Sequence, residues 1–124
     1  MKCFISIGFF FIILNLLAKE EINLYSARQE VLMRPLIKMF ESDTNIKVNI
    51  IAAKANQLIN RIEQEGELTK ADVLLTTDVG RLNIAKEKNI FQQISSTKLN
   101  NLIPSNLRDE NNYWFDEIST DEKL

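Results

Sequence analysis

The sequence predicts an α/β fold, a parallel sheet built in the order strand, helix, strand, helix, strand, helix. Three observations carry this. Short runs of strand-forming residues (Glu21–Tyr25, Ile46–Ile51, Asp72–Thr76) are separated by segments with apolar residues at helical spacing. Helix start and stop signals punctuate those segments at the expected places. The third run, Ala71-Asp-Val-Leu-Leu-Thr-Thr-Asp-Val-Gly-Arg81, passes from apolar residues into a polar turn at Thr76, Thr77 and Asp78. That is the pattern of a buried strand whose carboxyl end opens into a crevice, where open α/β sheets hold their ligands.

Residues 1–18 are set apart from the fold. Lys2 gives a positive start, and Phe4–Ile7 and Phe9–Leu14 form an apolar run interrupted by Gly8. Leu16-Leu-Ala18 then precedes the charged Lys19-Glu-Glu21. This is the pattern of a secretory signal peptide cut after Ala18. The competing reading, an uncleaved anchor, is disfavoured because a spanning helix needs about 20 apolar residues. Cys3, the one cysteine, falls inside this segment, so the mature chain is expected to carry no disulfide and no thiol chemistry.

The elements follow in order. Glu21–Tyr25 alternates as a strand. Arg34–Asp43 has Leu36, Ile37 and Phe40 at helical spacing, with Pro35 expected in the first turn, and Asn45 ends it. Ile46–Ile51 alternates as the second strand. Asn56 is the expected N-cap of a helix through Glu65, with Leu58, Ile59 and Ile62 inward and Gly66 as the stop. After the third strand, Thr77 or Asp78 caps a helix to about Lys88, with Leu82 and Ala85 inward. Such alternation implies parallel strands joined by right-handed crossovers. From Phe91 the pattern weakens into short helical turns and loops around Pro104. The apolar cluster Tyr113-Trp114-Phe115 runs into a polar tail, residues 116–124, which reads either as a frayed end or as a fold cut off within a domain.

Composition narrows the chemistry. The net charge is −2 and the basic residues are scattered, which does not suggest a nucleic-acid surface. Histidine is absent, which removes the commonest general base and a common metal ligand. No Ser-x-x-Lys occurs, and no acid, base and nucleophile set is visible, so the chain is not expected to be an enzyme. No Cys pair, His pair or calcium-loop spacing offers a metal site.

A binding cleft is expected where the strands' carboxyl ends converge on the following helix starts, whose free N–H groups favour an anion. The candidates are Arg28, Gln29, Asn56 and Asp78. Arg28 would add a forked cation, against the bland alternative of a solvated arginine or an ion pair with Asp78. Asp78 could ligate a cation, but an N-cap is the ordinary job for it. Glu63, Glu65 and Glu67 read as a solvated helix end. Tyr25, Tyr113 and Trp114 read as packing residues.

Several tracts together resemble a known family. "NLYSARQ" (Asn23–Gln29), "IKVNII-AK" (the stretch from Ile46 past Ala53), "LINRIEQEGE" (Leu58–Glu67), "ADVLLTTDVGRL" (Ala71–Leu82) and "IPSNLRD" (Ile103–Asp109), followed by Trp114-Phe115, occur in the same order as in the periplasmic ferric-ion-binding proteins of bacterial ABC importers. The resemblance implies a two-lobed, hinged periplasmic-binding-protein-like fold. Residues 19–115 would be the N-terminal part of one lobe, and the second lobe would be missing. It implies iron(III) held between lobes with a synergistic carbonate, and delivery to an ABC permease in the inner membrane.

Part of the family places a His after the first strand and a Glu at the start of the second helix. These positions resemble Gln29 and Asn56 here, neutral groups that suit a trivalent cation poorly. A histidine-free branch is closer. It implies that tyrosinates from the far lobe hold iron, while Arg28 and Gln29 neighbour the anion and are not metal ligands. Those tyrosines would lie beyond Leu124. The chain is thus expected to be a truncated fragment unable to hold iron alone, with a second polypeptide as one possible source of the missing lobe. The alternatives are a non-functional remnant of a split gene, or a solute-binding fragment for phosphate, sulfate or a polyamine.

Overall fold

A computed structural model describes residues 20–117; the segment expected to be a signal peptide and all but two residues of the polar tail lie outside that range. Three parallel strands, β1 (Glu21–Ser26), β2 (Lys47–Ala52) and β3 (Val73–Leu75), form a sheet in the order β2-β1-β3. The register pairs Leu24 with Ile50 of β2 and Val73 of β3, and Tyr25 with Ile51 and Leu74. β1 is therefore central, which explains why Leu24, Tyr25 and Ser26 are all buried although their side chains alternate between faces.

The helices are α1 (Glu30–Thr44), α2 (Ala55–Glu65), α3 (Val79–Glu87) and the short α4 (Thr97–Leu102). β1 to β2 runs one way across the sheet and β2 to β3 runs back over β1. Right-handed crossovers then put α1 and α2 on opposite faces. The α2 face carries the tightest packing. Tyr25, Leu58 and Ile62 form a buried cluster lined by Ile51, Leu74 and Ile90. The inward residues expected of α2 and α3, namely Leu58, Ile59, Ile62, Leu82 and Ala85, are all buried.

Two expectations need correction. α1 begins at Glu30, a turn before Arg34, so Pro35 lies inside the helix. Pro35 supplies no N–H to the carbonyl one turn back, on Val31. Both residues are exposed, so water can serve that carbonyl. The N-cap of α2 is Lys54, with extended backbone at φ −65° and ψ 143°, and Asn56 is the second residue of the helix. Gln57 Oε1 reaches back to accept from the Lys54 N–H at 3.3 Å.

Gly66 ends α2 with φ +54°, as its sequence position suggested. Glu65 is more than a solvated charge. It accepts from Arg61 Nε at 2.7 Å, Thr69 Oγ1 at 2.8 Å and the Tyr25 hydroxyl at 3.3 Å. These donors, Arg61 foremost, hold its carboxyl below the ordinary range.

Beyond α3 the chain folds back as a hairpin. The Asp109 N–H donates to the Trp114 carbonyl at 3.0 Å and the Asp116 N–H to the Leu107 carbonyl at 2.8 Å. The carboxylate of Asp109, itself buried, accepts from Lys86 Nζ of α3 at 2.6 Å and from the N–H groups of Asn111 and Tyr113 at 3.1 and 3.2 Å. Lys86 Nζ also sits 5.6 Å from the centroid of the Tyr113 ring. Trp114 Nε1 donates to Asn83 Oδ1 at 3.1 Å. The aromatic cluster thus packs as expected, and one buried carboxylate pins it to α3.

Candidate functional site

The carboxyl ends of β1 and β3 open into a small cleft of about 100 Å³ whose walls include Arg28, Thr76, Thr77, Asp78 and Glu117. Ser26 builds the first wall. It is fully buried, and its Oγ both accepts from the Arg28 N–H and donates to the Arg28 carbonyl, each at 3.1 Å. That closed turn fixes the direction in which Arg28 leaves β1. The ladder continues past the strand ends, with the Ala27 N–H on the Leu75 carbonyl at 2.8 Å and the Ala53 N–H on the Ser26 carbonyl at 3.2 Å. The three loops are therefore held side by side.

β3 leads into the second wall. Thr76 is buried and donates its hydroxyl to the Asp78 carbonyl at 3.1 Å. Asp78 Oδ1 accepts from the Arg81 N–H at 2.9 Å, the cap expected of it. Gly80 permits this approach, since a Cβ there would meet Asp78 Oδ1 at 3.0 Å. With its carboxylate turned to the start of α3 and 3.8 Å from Arg81 Nε, Asp78 is a cap first.

Arg28 does not pair with Asp78. Its guanidinium Nη2 donates to the carboxylate of Glu117, brought in by the hairpin. Its Nε is buried and has no hydrogen-bond partner among the described residues. Asn56 faces the same region from α2, its Oδ1 accepting from Arg81 Nη1. Gln29 is exposed at the N-cap of α1. The structure thus brings Arg28 and Asp78 together in one cleft and links Asn56 to it through Arg81, while Gln29 is not among the residues that line it.

Arg81 and Glu117 are the residues sequence reasoning passed over. Arg81 carries a local signal, a cation in the first turn of the helix that Asp78 caps. Glu117 carries none, because it sits in an acidic stretch and reaches the cleft only through the hairpin.

The cleft lining combines one guanidinium, Arg28, paired with Glu117, with the carboxylates of Asp78 and Asp116 and with Thr76 and Thr77. Among the described residues no group of three or more His, Cys, Asp or Glu is placed to hold a metal. Tyr25 directs its hydroxyl to Glu65 at the end of α2, and Tyr113 lies against Lys86, so neither phenol lines the cleft.

No protein-family model matches the chain. Individual proteins do. Iron uptake protein A1 of Synechocystis is 44% identical over 97 residues, 78% of this chain and 27% of that protein. Iron uptake protein A2 of the same organism is 40% identical over 94 residues, 76% of this chain and 26% of that protein. The chain thus spans about a quarter of the length of these relatives. Among solved structures, the Trichodesmium IdiA/FutA protein in complex with iron and citrate superposes with a TM-score of 0.74 at 47% identity, over 77% of this chain and 30% of that one. The apo ferric-ion-binding protein A of Pasteurella haemolytica gives 0.73 at 48% identity, over 77% of this chain and 30% of that one. By sequence and by fold, the chain is a homologue of part of the ferric-iron-binding and iron-uptake proteins.

Proposed function

We propose that the chain supplies one wall of a ferric-ion cleft in a periplasmic binding component of an ABC importer, which hands its cargo to an inner-membrane permease. It is a transport role and not a catalytic one. The observation that carries the reading is Arg28, held by the buried Ser26 turn at the carboxyl ends of the strands, with one guanidinium nitrogen buried and unpaired. That group suits the carbonate or carboxylate that accompanies a hard cation. Gln29, exposed and next to Arg28 in the chain, is the second candidate for that anion. Asp78 is spent as a cap and Asn56 as a partner of Arg81, so neither is a metal donor in this reading.

The phenolate and other oxyanionic donors that iron(III) requires come from outside residues 20–117, and the chain alone does not hold the ion. A phosphate or sulfate carrier is the second reading, because the same guanidinium fits any oxyanion.

Two measurements test this. The mature chain mixed with ferric salt and bicarbonate should show no visible phenolate-to-iron band; a stable coloured complex would overturn the reading. A chimera in which this chain replaces the matching part of iron uptake protein A1 should bind ferric ion. Arg28→Ala in the chimera should weaken that binding by about 10- to 100-fold, the range for losing a charge-assisted hydrogen bond. Binding of phosphate or sulfate without iron would favour the second reading.

A further inference from the structure

We propose that Glu117 is a tethered competitor for the anion position on Arg28, so that an external oxyanion enters the cleft only as the Glu117 carboxylate swings out. The proposal rests on the reading of Arg28 as the anion contact and adds what controls access to it. Three carboxylates line the cleft, on Asp78, Asp116 and Glu117, against the one guanidinium. Two of them are held by backbone. Asp78 Oδ1 accepts from the Arg81 N–H at 2.9 Å, and Asp116 Oδ1 accepts from the Glu117 N–H at 2.9 Å. The carboxylate of Glu117 is bonded to the guanidinium itself, through Arg28 Nη2. Displacing it orphans no backbone donor among the described residues, so it is the carboxylate that can be exchanged for a ligand.

The guanidinium fork is half used. Nε–H and Nη2 lie on the same edge of a guanidinium, and a planar carboxylate or carbonate takes both at once. Glu117 engages Nη2, while Nε is buried with no hydrogen-bond partner among the described residues. An incoming planar oxyanion therefore gains a bond that Glu117 does not make. The Glu117 side chain is also 66% exposed, and exposed ion pairs are weak.

The two backbones, by contrast, are fixed. Ser26 Oγ holds Arg28 through the bonds of 3.1 Å to its N–H and its carbonyl. The Asp116 N–H donates to the Leu107 carbonyl at 2.8 Å, which sets Glu117 one residue beyond a pinned position of the hairpin. A fixed backbone carrying an exposed, rotatable carboxylate is what a displaceable competitor requires.

The test titrates sodium acetate, in exchange for sodium chloride, into the full chain at constant pH and ionic strength. Nuclear magnetic resonance follows Arg28 Nε and the Glu117 side-chain carboxyl carbon, with Arg28→Lys and Glu117→Gln identifying the two signals. Both signals should move with one saturation midpoint, because one position changes hands. In Glu117→Ala the Arg28 midpoint should fall about 1.5- to 5-fold, the range for removing an exposed ion pair. Glu117→Gln, which keeps a neutral acceptor, should lower it by less. Trp114 emission checks that the hairpin stays docked in each variant. An Arg28 signal that saturates while Glu117 stays still, or a midpoint that Glu117→Ala leaves unchanged, overturns the inference and leaves the anion reading standing. A midpoint that rises in Glu117→Ala, or no response at Arg28 in either chain, overturns both.

Discussion

Substituting Asp109 by Ala should detach the 107–117 hairpin before the rest of the domain unfolds. Its carboxylate is buried and satisfies Lys86 Nζ at 2.6 Å and two backbone N–H groups at 3.1 and 3.2 Å. The substitution removes all three acceptor contacts at once. Hydrogen bonds to a charged group contribute roughly 1.5–3 kcal/mol each when well shielded. Lys86 keeps access to water, as do the N–H groups near the turn, so the expected loss is nearer about 2 kcal/mol for the set. Because that loss falls on one local unit, the open population of the hairpin should rise about 30-fold. Trp114 is the only tryptophan and bonds to Asn83 of α3, so its emission reports docking directly. In a urea titration, Trp114 emission should shift red and become quenchable by acrylamide well before far-UV circular dichroism changes. Asp109→Asn, which keeps one acceptor, should fall between the two. Coincident transitions in Asp109→Ala, at the parent's midpoint, would refute the reasoning.

The same hairpin should respond to pH. Burial opposes the charge on Asp109, but Lys86 and the N–H groups of Tyr113 and Asn111 outweigh it and depress its pKa. The stabilisation is therefore complete above the unfolded value of about 3.9 and is lost as pH falls through the depressed folded value. Lys86 is shifted upward, chiefly by its bond to Asp109, so its contribution is complete below about 10.4 and fades as pH rises through the folded value. Trp114 emission should accordingly be flat between those limits. Glu117→Ala should free the Arg28 guanidinium. The pair is partly exposed, so anion affinity, read from the Arg28 Nε resonance under bicarbonate titration, should improve by only about 1.5- to 5-fold; a weaker anion complex would count against Arg28 as the anion contact. Gly66→Ala meets no atom within 4 Å but must adopt φ +54° with ψ −132°. It should cost about 1–3 kcal/mol through backbone strain alone, measurable by chemical denaturation.

Part of the fold was legible because its causes are local. The strand at Asp72–Thr76, the cap at Asp78 and the stop at Gly66 each rest on the conformational preferences of a few neighbouring residues, and the structure shows β3, the Asp78–Arg81 bond and the positive φ where those preferences put them. The first helix was misjudged for the same reason. Pro35 suggested a first turn, but Gln29 takes the capping backbone and the chain enters the helix earlier. At the second helix a favourable capping residue, Asn56, lost to the extended backbone of Lys54, which follows directly from β2.

What the sequence determined by itself was the class of fold and the loops that hold its polar residues, because periodicity and turn chemistry act over a few positions. What only the tertiary structure decided was the strand order that buries both faces of β1, the link from Asn56 to Arg81, and the pairing of Arg28 with Glu117, 89 residues away. Those contacts depend on loop closure and on a hairpin pinned by one buried carboxylate. No local pattern encodes which distant charge a guanidinium will meet.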